Sequence, residues 1–283
     1  MPQEVPVTGA AGSVRRPVVS LLTDFGVAEP FVGLVKARIL AECPAAAIID
    51  LTHELPPYAI DAAAFWIGRV HGYFLPGTVH LCVVDPGVGT ARRILLAEQG
   101  GQRFLAPDNG LLTPIASQGG AVTRSIDPGW FEAAGLTRPS ATFHGRDLFA
   151  PLAGRLAAGV VRPEDLGPTV TDWQRLDGSD PEQGESLIRG RILFSDHFGN
   201  LFSNIQLESL VDYRSWEVRL PGRVVPWVRT YGEAPGGSLV ALENSFGVLE
   251  ISCVAGSAAA VTGLEPGAVI EIRRRTGFPS PGY

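Results

Sequence analysis

The feature that most constrains this chain is a repeated pattern between about Pro17 and Gly159. Short apolar strand-like runs, several ending in Asp, alternate with helical segments. "VVSLLTDF" reads as a buried strand ending at Asp24. "AIIDLTH" carries Asp50 and "TVHLCVVD" ends in Asp85. Between them lie a helix with Pro30 in its first turn, whose expected apolar face is Phe31, Leu34, Val35 and Ile39, and an Ala-rich second helix, "AIDAAAFWIGRVHGYF". Alternation of this kind predicts a largely parallel sheet flanked by helices. Ligands of such sheets sit beyond the carboxyl ends of the strands, which is where the three Asp residues are expected. "RILLAEQ" and "QRFLAP" read as a hairpin around Gly100-Gly101. A short helix near Gly110–Ser117, a strand near Val122–Ile126 and a helix near Leu148–Ala158 follow.

The stretch from about Arg162 to Glu185 is rich in Pro, Asp, Gly and Gln and reads as a linker. From Ser186 onward the chain turns to short strands: "SLIRGRILFSD", "SWEVRL", "GSLVALEN", "GVLEISCV" and "AVIEIRR". A small all-β barrel or sandwich is expected there. The expected organisation is a loose extension at 1–16, an α/β domain at 17–165, a linker at 166–185, a β-barrel domain at 186–275 and a tail at 276–283.

Composition narrows the function classes. With 283 residues the chain is long enough for two domains. Its net charge of −6 argues against a nucleic-acid binder, which carries a basic face. No apolar run approaches the ~18 residues of a membrane span, and the N-terminal stretch has no signal-peptide core. The three cysteines, Cys43, Cys82 and Cys253, have no CxxC spacing. They give neither a disulfide framework nor a zinc site and point to a cytoplasmic protein. His53, His71, His80 and His197 show no metal-ligand spacing.

The residues that could carry chemistry each admit a plainer reading. Asp24 can accept two hydrogen bonds from a vicinal diol, or cap its turn. Asp85, in "VVDPGVGT", opens a Gly-rich loop that a ligand could approach closely, or is a turn Asp. The loop lacks the signature of a phosphate cradle. Arg92 and Arg93 could hold that carboxylate ionised, or be a solvated pair. His144, in "TFHGRDLF", could be a general base or orient water, or be a packed loop residue. In "SDHFGNLFSN", Asn200 could read an adenine edge and Phe198 cover a ring, or both could serve a turn at Gly199. Ser245 and the Ala255-Gly256 backbone could line a pocket or make turns. Covalent catalysis has no outstanding nucleophile.

Taken together, "LLTDFG", "DLTHELPPY", "VVDPGVGT", "PDNGLL", "TFHGRDLFAP", "DHFGNLFSNI" and "NSFGVLEI" run in order from about Val18 to Arg274. This set resembles the adenosine-forming S-adenosylmethionine (SAM) hydrolases, or SAM hydroxide adenosyltransferases, relatives of fluorinase and chlorinase. The resemblance implies an α/β domain, a β-barrel and a homotrimer with SAM at subunit interfaces. SAM is then the substrate, with no cofactor and no metal. By the same resemblance Asp85, Arg92 and His144 match the water-activating set. Asp24 matches the carboxylate that grips the ribose, and Tyr58 an aromatic against the substrate. Phe143 and Phe198 match pocket walls. Asp196 and Ser245 match contacts to the methionine end, and Asn200 and the backbone near Ala255 match contacts to adenine. Phe246 stands where fluorinase has Arg. Gly145 stands where fluorinase has a halide-contacting Ser, although chlorinase also has Gly there. Asp85 replaces a Tyr, which favours water over halide as nucleophile. A halogenase of the same fold and a non-catalytic SAM or adenosine binder are the alternatives.

Overall fold

Strand β1 (Val18–Thr23), almost wholly buried on both faces, is an interior strand of the first sheet. A computed structural model describes residues 15–136, 139–178, 180–207, 210 and 215–275. Apart from Arg15 and Arg16, the expected N-terminal extension lies outside the described residues, as does the expected tail. The chain divides into two compact units, residues 1–176 and 177–283.

In the first unit β1 leads to helix α1 (Phe31–Glu42), strand β2 (Ala47–Thr52), helix α2 (Ile60–Val70) and strand β3 (Val79–Val83). The hairpin strands β4 (Ile94–Gln99) and β5 (Gln102–Pro107) come next. They are followed by α3 (Thr113–Ala116), β6 (Val122–Ser125), α4 (Pro128–Ala133), one π-helical turn (Gly145–Phe149) and α5 (Ala150–Ala158). The sheet order is β2-β1-β3-β5-β4-β6. The pairs β2–β1, β1–β3 and β3–β5 are parallel, whereas β5–β4 and β4–β6 are antiparallel. The expected helix-flanked sheet is therefore present, with a mixed character supplied by the hairpin.

One face of the sheet buries Val19, Leu21, Leu81 and Leu105 against Val35 and Ile39 of α1 and Leu152, Ala153 and Leu156 of α5. At roughly 25 cal/mol per Å² of apolar surface, filling such a layer is the main term holding helices to sheet. The inward side of α1 is Val32, Val35 and Ile39. Phe31 and Leu34, expected to face inward, are 43% and 40% exposed, because apolar residues occur on more than one side of this helix. Asp50 is not at a strand end either. It lies within edge strand β2 and pairs with Lys36 at 2.6 Å. On the opposite face of the sheet, His80 is fully buried between Ser20 and Gln102 and stacks on Phe104 at 4.7 Å. Residues 169–176 are tied to this unit. Thr169 bridges Arg124, and Leu176 N–H donates to Thr113 Oγ1.

In the second unit the strands are β7 (Glu182–Gln183), β8 (Leu187–Ser195), β9 (Leu201–Gln206), β10 (Trp216–Leu220) and β11 (Arg223–Val225). Then come β12 (Leu239–Glu243), β13 (Val248–Cys253), helix α6 (Ala258–Thr262) and β14 (Val269–Arg274). The order β11-β10-β14-β8-β9-β13-β12 is antiparallel throughout. Just after β11, Trp227 bridges Ala241 of β12, which brings the two ends of the sheet together as a barrel. Ile192, Ile205, Val218, Ile251 and Ile272 fill its interior. Cys43, Cys82 and Cys253 are all buried and free.

No helix among the described residues is long and apolar enough to cross a membrane.

Candidate active site

The three parallel strands β1, β2 and β3 deliver their following loops to one edge of the sheet, as strand direction requires. Asp24 leaves β1, the segment 53–58 leaves β2, and Asp85 leaves β3. Asn109 Nδ2 donates to the Val84 carbonyl at 2.8 Å and so fixes the exit of β3 beside Asp85.

Asp85 and Arg92 stand near the two ends of the loop joining β3 to β4. Arg92 Nε lies 2.9 and 3.0 Å from the two carboxylate oxygens, and Nη2 donates to Oδ2 as well. The side chains are 5% and 9% exposed, so this is a dry, fork-shaped ion pair. The guanidinium also lies 5.3 Å from the centre of the Phe149 ring. Arg93, its neighbour, points elsewhere. It donates to Asp108 at 2.7 Å and to Asp172 at 2.9 Å, and serves to tie down residues 172–174.

Arg92 Nη2 is 3.1 Å from His144 Nδ1. A guanidinium can only donate, so Nδ1 is the acceptor and the proton of the neutral ring is on Nε2. Burial, and then the Arg92 charge, hold the His144 pKa below its ordinary value, overcoming the opposing pull of Asp85. His144 immediately precedes the π-helical turn, a rare local form that recurs at functional sites. Its segment is locked to the Asp85 loop at Gly89. There φ is +80°, and a Cβ would stand 2.3 Å from the Ala141 carbonyl.

The remaining first-unit residues join the same cluster. The Phe143 ring meets Phe25 edge-on at 5.7 Å and Phe31 at 5.4 Å. A Cβ on Gly145 would come 3.0 Å from Phe25 and 3.4 Å from Phe143, so these rings close over the backbone there. Asp24 accepts from the Tyr58 backbone N–H at 2.9 Å. Tyr58 has φ +66° and is 70% exposed, so its ring stands free while its backbone is pinned. Sequence reasoning did not single out Phe25, Asn109 or Phe149. Phe25 and Asn109 lie within the motifs quoted above, which was the available signal; Phe149 follows "TFHGRDL" in the same way.

In the second unit, Asp196 organises the turn from β8 to β9. Its carboxylate accepts from the N–H groups of Phe198 (2.9 Å) and Asn200 (2.8 Å) and from Asn200 Nδ2 (3.0 Å). Phe198 is 73% exposed at the tip. Gly199, at φ +81°, packs on Ser257, and its carbonyl accepts from Ala259 N–H. The turn therefore abuts the 255–259 segment, where Ala255 has φ +53°. Ser245 is not in this group. It lies in the β12–β13 turn, beside which Val248 pairs with Gln206, whereas Asn200 adjoins the Leu201–Ile251 pair. That places Ser245 about five residues of strand away, roughly 17 Å. Glu250 is buried between them on β13 and accepts from Tyr231 Oη at 2.7 Å and Ser252 Oγ at 2.6 Å.

Residues 19–167 match the SAM hydroxide adenosyltransferase N-terminal domain, and residues 190–271 match the C-terminal domain of the same family. The chain belongs to this family. It is 38% identical over 270 residues to the (R)-S-adenosyl-L-methionine hydrolase of Thermus thermophilus, covering 91% of this chain and 99% of that protein. The protein of the same name from Salinispora arenicola is 36% identical, with 89% and 95% covered. The fluorinase of Nocardia brasiliensis is more distant, at 28% identity over 92% and 97% of the two chains. Among solved structures, an uncharacterised conserved protein from Thermotoga maritima superposes with a TM-score of 0.80 at 34% identity. It covers 90% of this chain and 100% of that one. For a family member, the cluster of Asp85, Arg92 and His144 is the feature to be explained chemically. Among the described residues, no group of three or more His, Cys, Asp or Glu side chains is placed to hold a metal ion.

Proposed function

We propose that this chain hydrolyses S-adenosyl-L-methionine to adenosine and L-methionine by in-line attack of water on the ribose C5′. The observation that carries the reading is the buried Asp85–Arg92 pair with His144 locked beside it. The family match and the SAM hydrolases at 36–38% identity support it.

In the reaction the water oxygen bonds to C5′ and the C5′–S bond breaks, its electron pair going to sulfur. Methionine leaves as a neutral thioether, so the leaving group needs no protonation and the step requires no metal or other cofactor. The water gives up a proton as it attacks. Asp85 accepts it through a lone pair that Arg92 does not use, and Arg92 keeps the carboxylate oriented. His144, already accepting at Nδ1, donates through Nε2–H and so orients the water without acting as the base. Holding water and C5′ in line supplies several kcal/mol of the barrier reduction, up to about 7–11 in ideal cases.

Asp24 takes the ribose diol, and Tyr58 covers the nucleoside. Phe143 and Gly145 shape the wall beside the reacting carbon. From the second unit, Asn200 and the Ala255 backbone take the adenine, with Phe198 against the ring. Asp196 and Ser245 take the polar groups of methionine. We further propose a cytoplasmic homotrimer in which residues of neighbouring subunits share each substrate.

The test is incubation of pure protein with SAM in oxygen-18 water, with and without chloride, followed by mass spectrometry. Adenosine carrying the heavy oxygen at O5′, together with methionine, supports the reading. A 5′-halo-5′-deoxyadenosine would make the chain a halogenase, and bound SAM without product would make it a binding protein. Light scattering in solution checks the trimer.

A further inference from the structure

The loop that carries Asp24 is clasped on both sides by the segment that leaves β2. On the near side, Thr23 Oγ1 is 2.8 Å from His53 Nδ1 and accepts from Phe25 N–H at 3.3 Å. On the far side, Gly26 N–H donates to the His53 carbonyl at 2.8 Å. Thr23 and His53 are both buried, at 1% and 5% exposure. Behind the ring, His53 Nε2 stands 3.1 Å from Asp50 Oδ1, off the line of a well-aligned hydrogen bond, and Asp50 Oδ2 accepts from Lys36 Nζ at 2.6 Å. Burial opposes ionisation of Asp50, but Lys36 and His53 outweigh it and hold its carboxyl below the usual range.

An ionised Asp50 can accept but not donate, so a His53 proton on Nε2 faces it and Nδ1 is left to the Thr23 hydroxyl. The Thr23 hydroxyl must then donate into Nδ1, which leaves its oxygen turned toward the Phe25 N–H. The chain immediately before and after Asp24 is thus held by one imidazole-bearing residue.

We infer that His53 is a positioning residue for Asp24, setting the carboxylate where it meets the ribose diol without itself touching substrate. The inference rests on the assignment of Asp24 to the ribose. It extends that assignment to Thr23, which relays the hold. Loss of orientation at a charged acceptor weakens diol binding about tenfold, by the usual worth of a hydrogen bond to a charged group.

The experiment compares equilibrium binding of adenosine and 2′,3′-dideoxyadenosine to the wild type, His53→Ala, His53→Asn and Thr23→Val, with thermal melts of each. The wild type is expected to favour adenosine. In His53→Ala and Thr23→Val that preference shrinks about tenfold while dideoxyadenosine affinity stays constant. His53→Asn, whose amide can reach the Nδ1 position, regains most of it. In turnover assays KM for SAM rises more than kcat falls. If His53→Ala does not fold, Thr23→Val, which removes one hydroxyl and keeps the shape, carries the test. An undiminished preference in a folded variant, or equal weakening toward both nucleosides, overturns the positioning role. A wild type that fails to distinguish the two nucleosides overturns the ribose assignment itself, and the inference with it.

Discussion

Arg92 donates through Nη2 to His144 Nδ1 across 3.1 Å, so the imidazole presents its other nitrogen as an N–H edge. The neutral ring is the form this contact requires, and burial with the Arg92 charge favours it by lowering the pKa below 6.5. Protonation therefore sets in only on the acid side of that value. Activity is expected to stay level from pH 8 to about 6.5 and to fall below it. An acid limb of kcat centred at or above 6.5 contradicts the assignment. His144→Ala should retain SAM binding and lose about a hundredfold in kcat, read by steady-state kinetics beside direct titration.

The Asp85–Arg92 pair is dry, and removing one partner leaves the other buried and uncompensated. Asp85→Asn is expected to lower kcat by about 10²–10⁴ with KM changed only a few-fold. It should also lower stability by about 3–5 kcal/mol, measured by denaturant unfolding. Arg92→Lys, which cannot reproduce the fork, should lie between wild type and Asp85→Asn in both respects. Wild-type turnover in Asp85→Asn would refute the proton-accepting role.

Tyr58 holds φ +66° while its N–H serves Asp24. A side chain in this left-handed region costs about 1–2 kcal/mol. Tyr58→Gly should therefore raise stability by up to about 1 kcal/mol, after the entropy that glycine adds to the unfolded chain. The same change should raise KM for SAM because the ring is lost. Thermal melts and initial rates on one preparation separate the two effects, and a fall in both stability and KM would count against this account.

Gly89 is the point where the Asp85 loop touches the strand of chain leading to His144. Gly89→Ala places a methyl against the Ala141 carbonyl in a backbone conformation that alanine resists. We expect at least about 2 kcal/mol of destabilisation. We also expect reduced kcat at saturating SAM, since His144 is displaced from Arg92. Unchanged kcat in the folded variant would show that the two segments are placed independently.

His80 lies outside the site, and burial pushes its pKa down to about 4, with Gln102 partly opposing this. The unfolded chain, with an ordinary imidazole pKa of about 6.5, binds the proton more readily than the native state. Its contribution is therefore complete above pH 6.5 and is lost as pH falls from 6.5 through 4. The loss is on the order of 3 kcal/mol. Urea unfolding between pH 7.5 and 4.5 should show this slope in the wild type and a shallower one in His80→Asn, from a lower starting stability.

Periodicity made the strand–helix alternation, the β4–β5 hairpin and the barrel strands legible, because each depends on local residue pattern. The inward face of α1 was not legible. Its apolar residues lie on several sides, and only packing against α5 selects Val32, Val35 and Ile39. Asp50 looked like a strand-end carboxylate because the edge position of β2, which lets a charge sit mid-strand, is a tertiary fact. Arg92 and Arg93 are equivalent on paper. Only the fold sends one to Asp85 and the other to Asp108 and Asp172. Thr23 and His53 escaped notice for a related reason: their partnership spans 30 residues and is made by a hydroxyl and a ring nitrogen, which leave no spacing signature.

The loop from β3 to β4 passes over β5, the strand on which the sheet changes from parallel to antiparallel pairing. Asp85 and Arg92, seven residues apart, close that loop like a clip. One residue inserted between them would either break the pair or push β4 along by one place, exchanging the sides of Leu95 and Leu96 in a strand whose Ile94–Ala97 stretch is wholly buried. The interval between this carboxylate and this guanidinium is therefore a length standard for the domain. An inserted residue would disturb both the ion pair and the packing of β4, whichever side chain it carried.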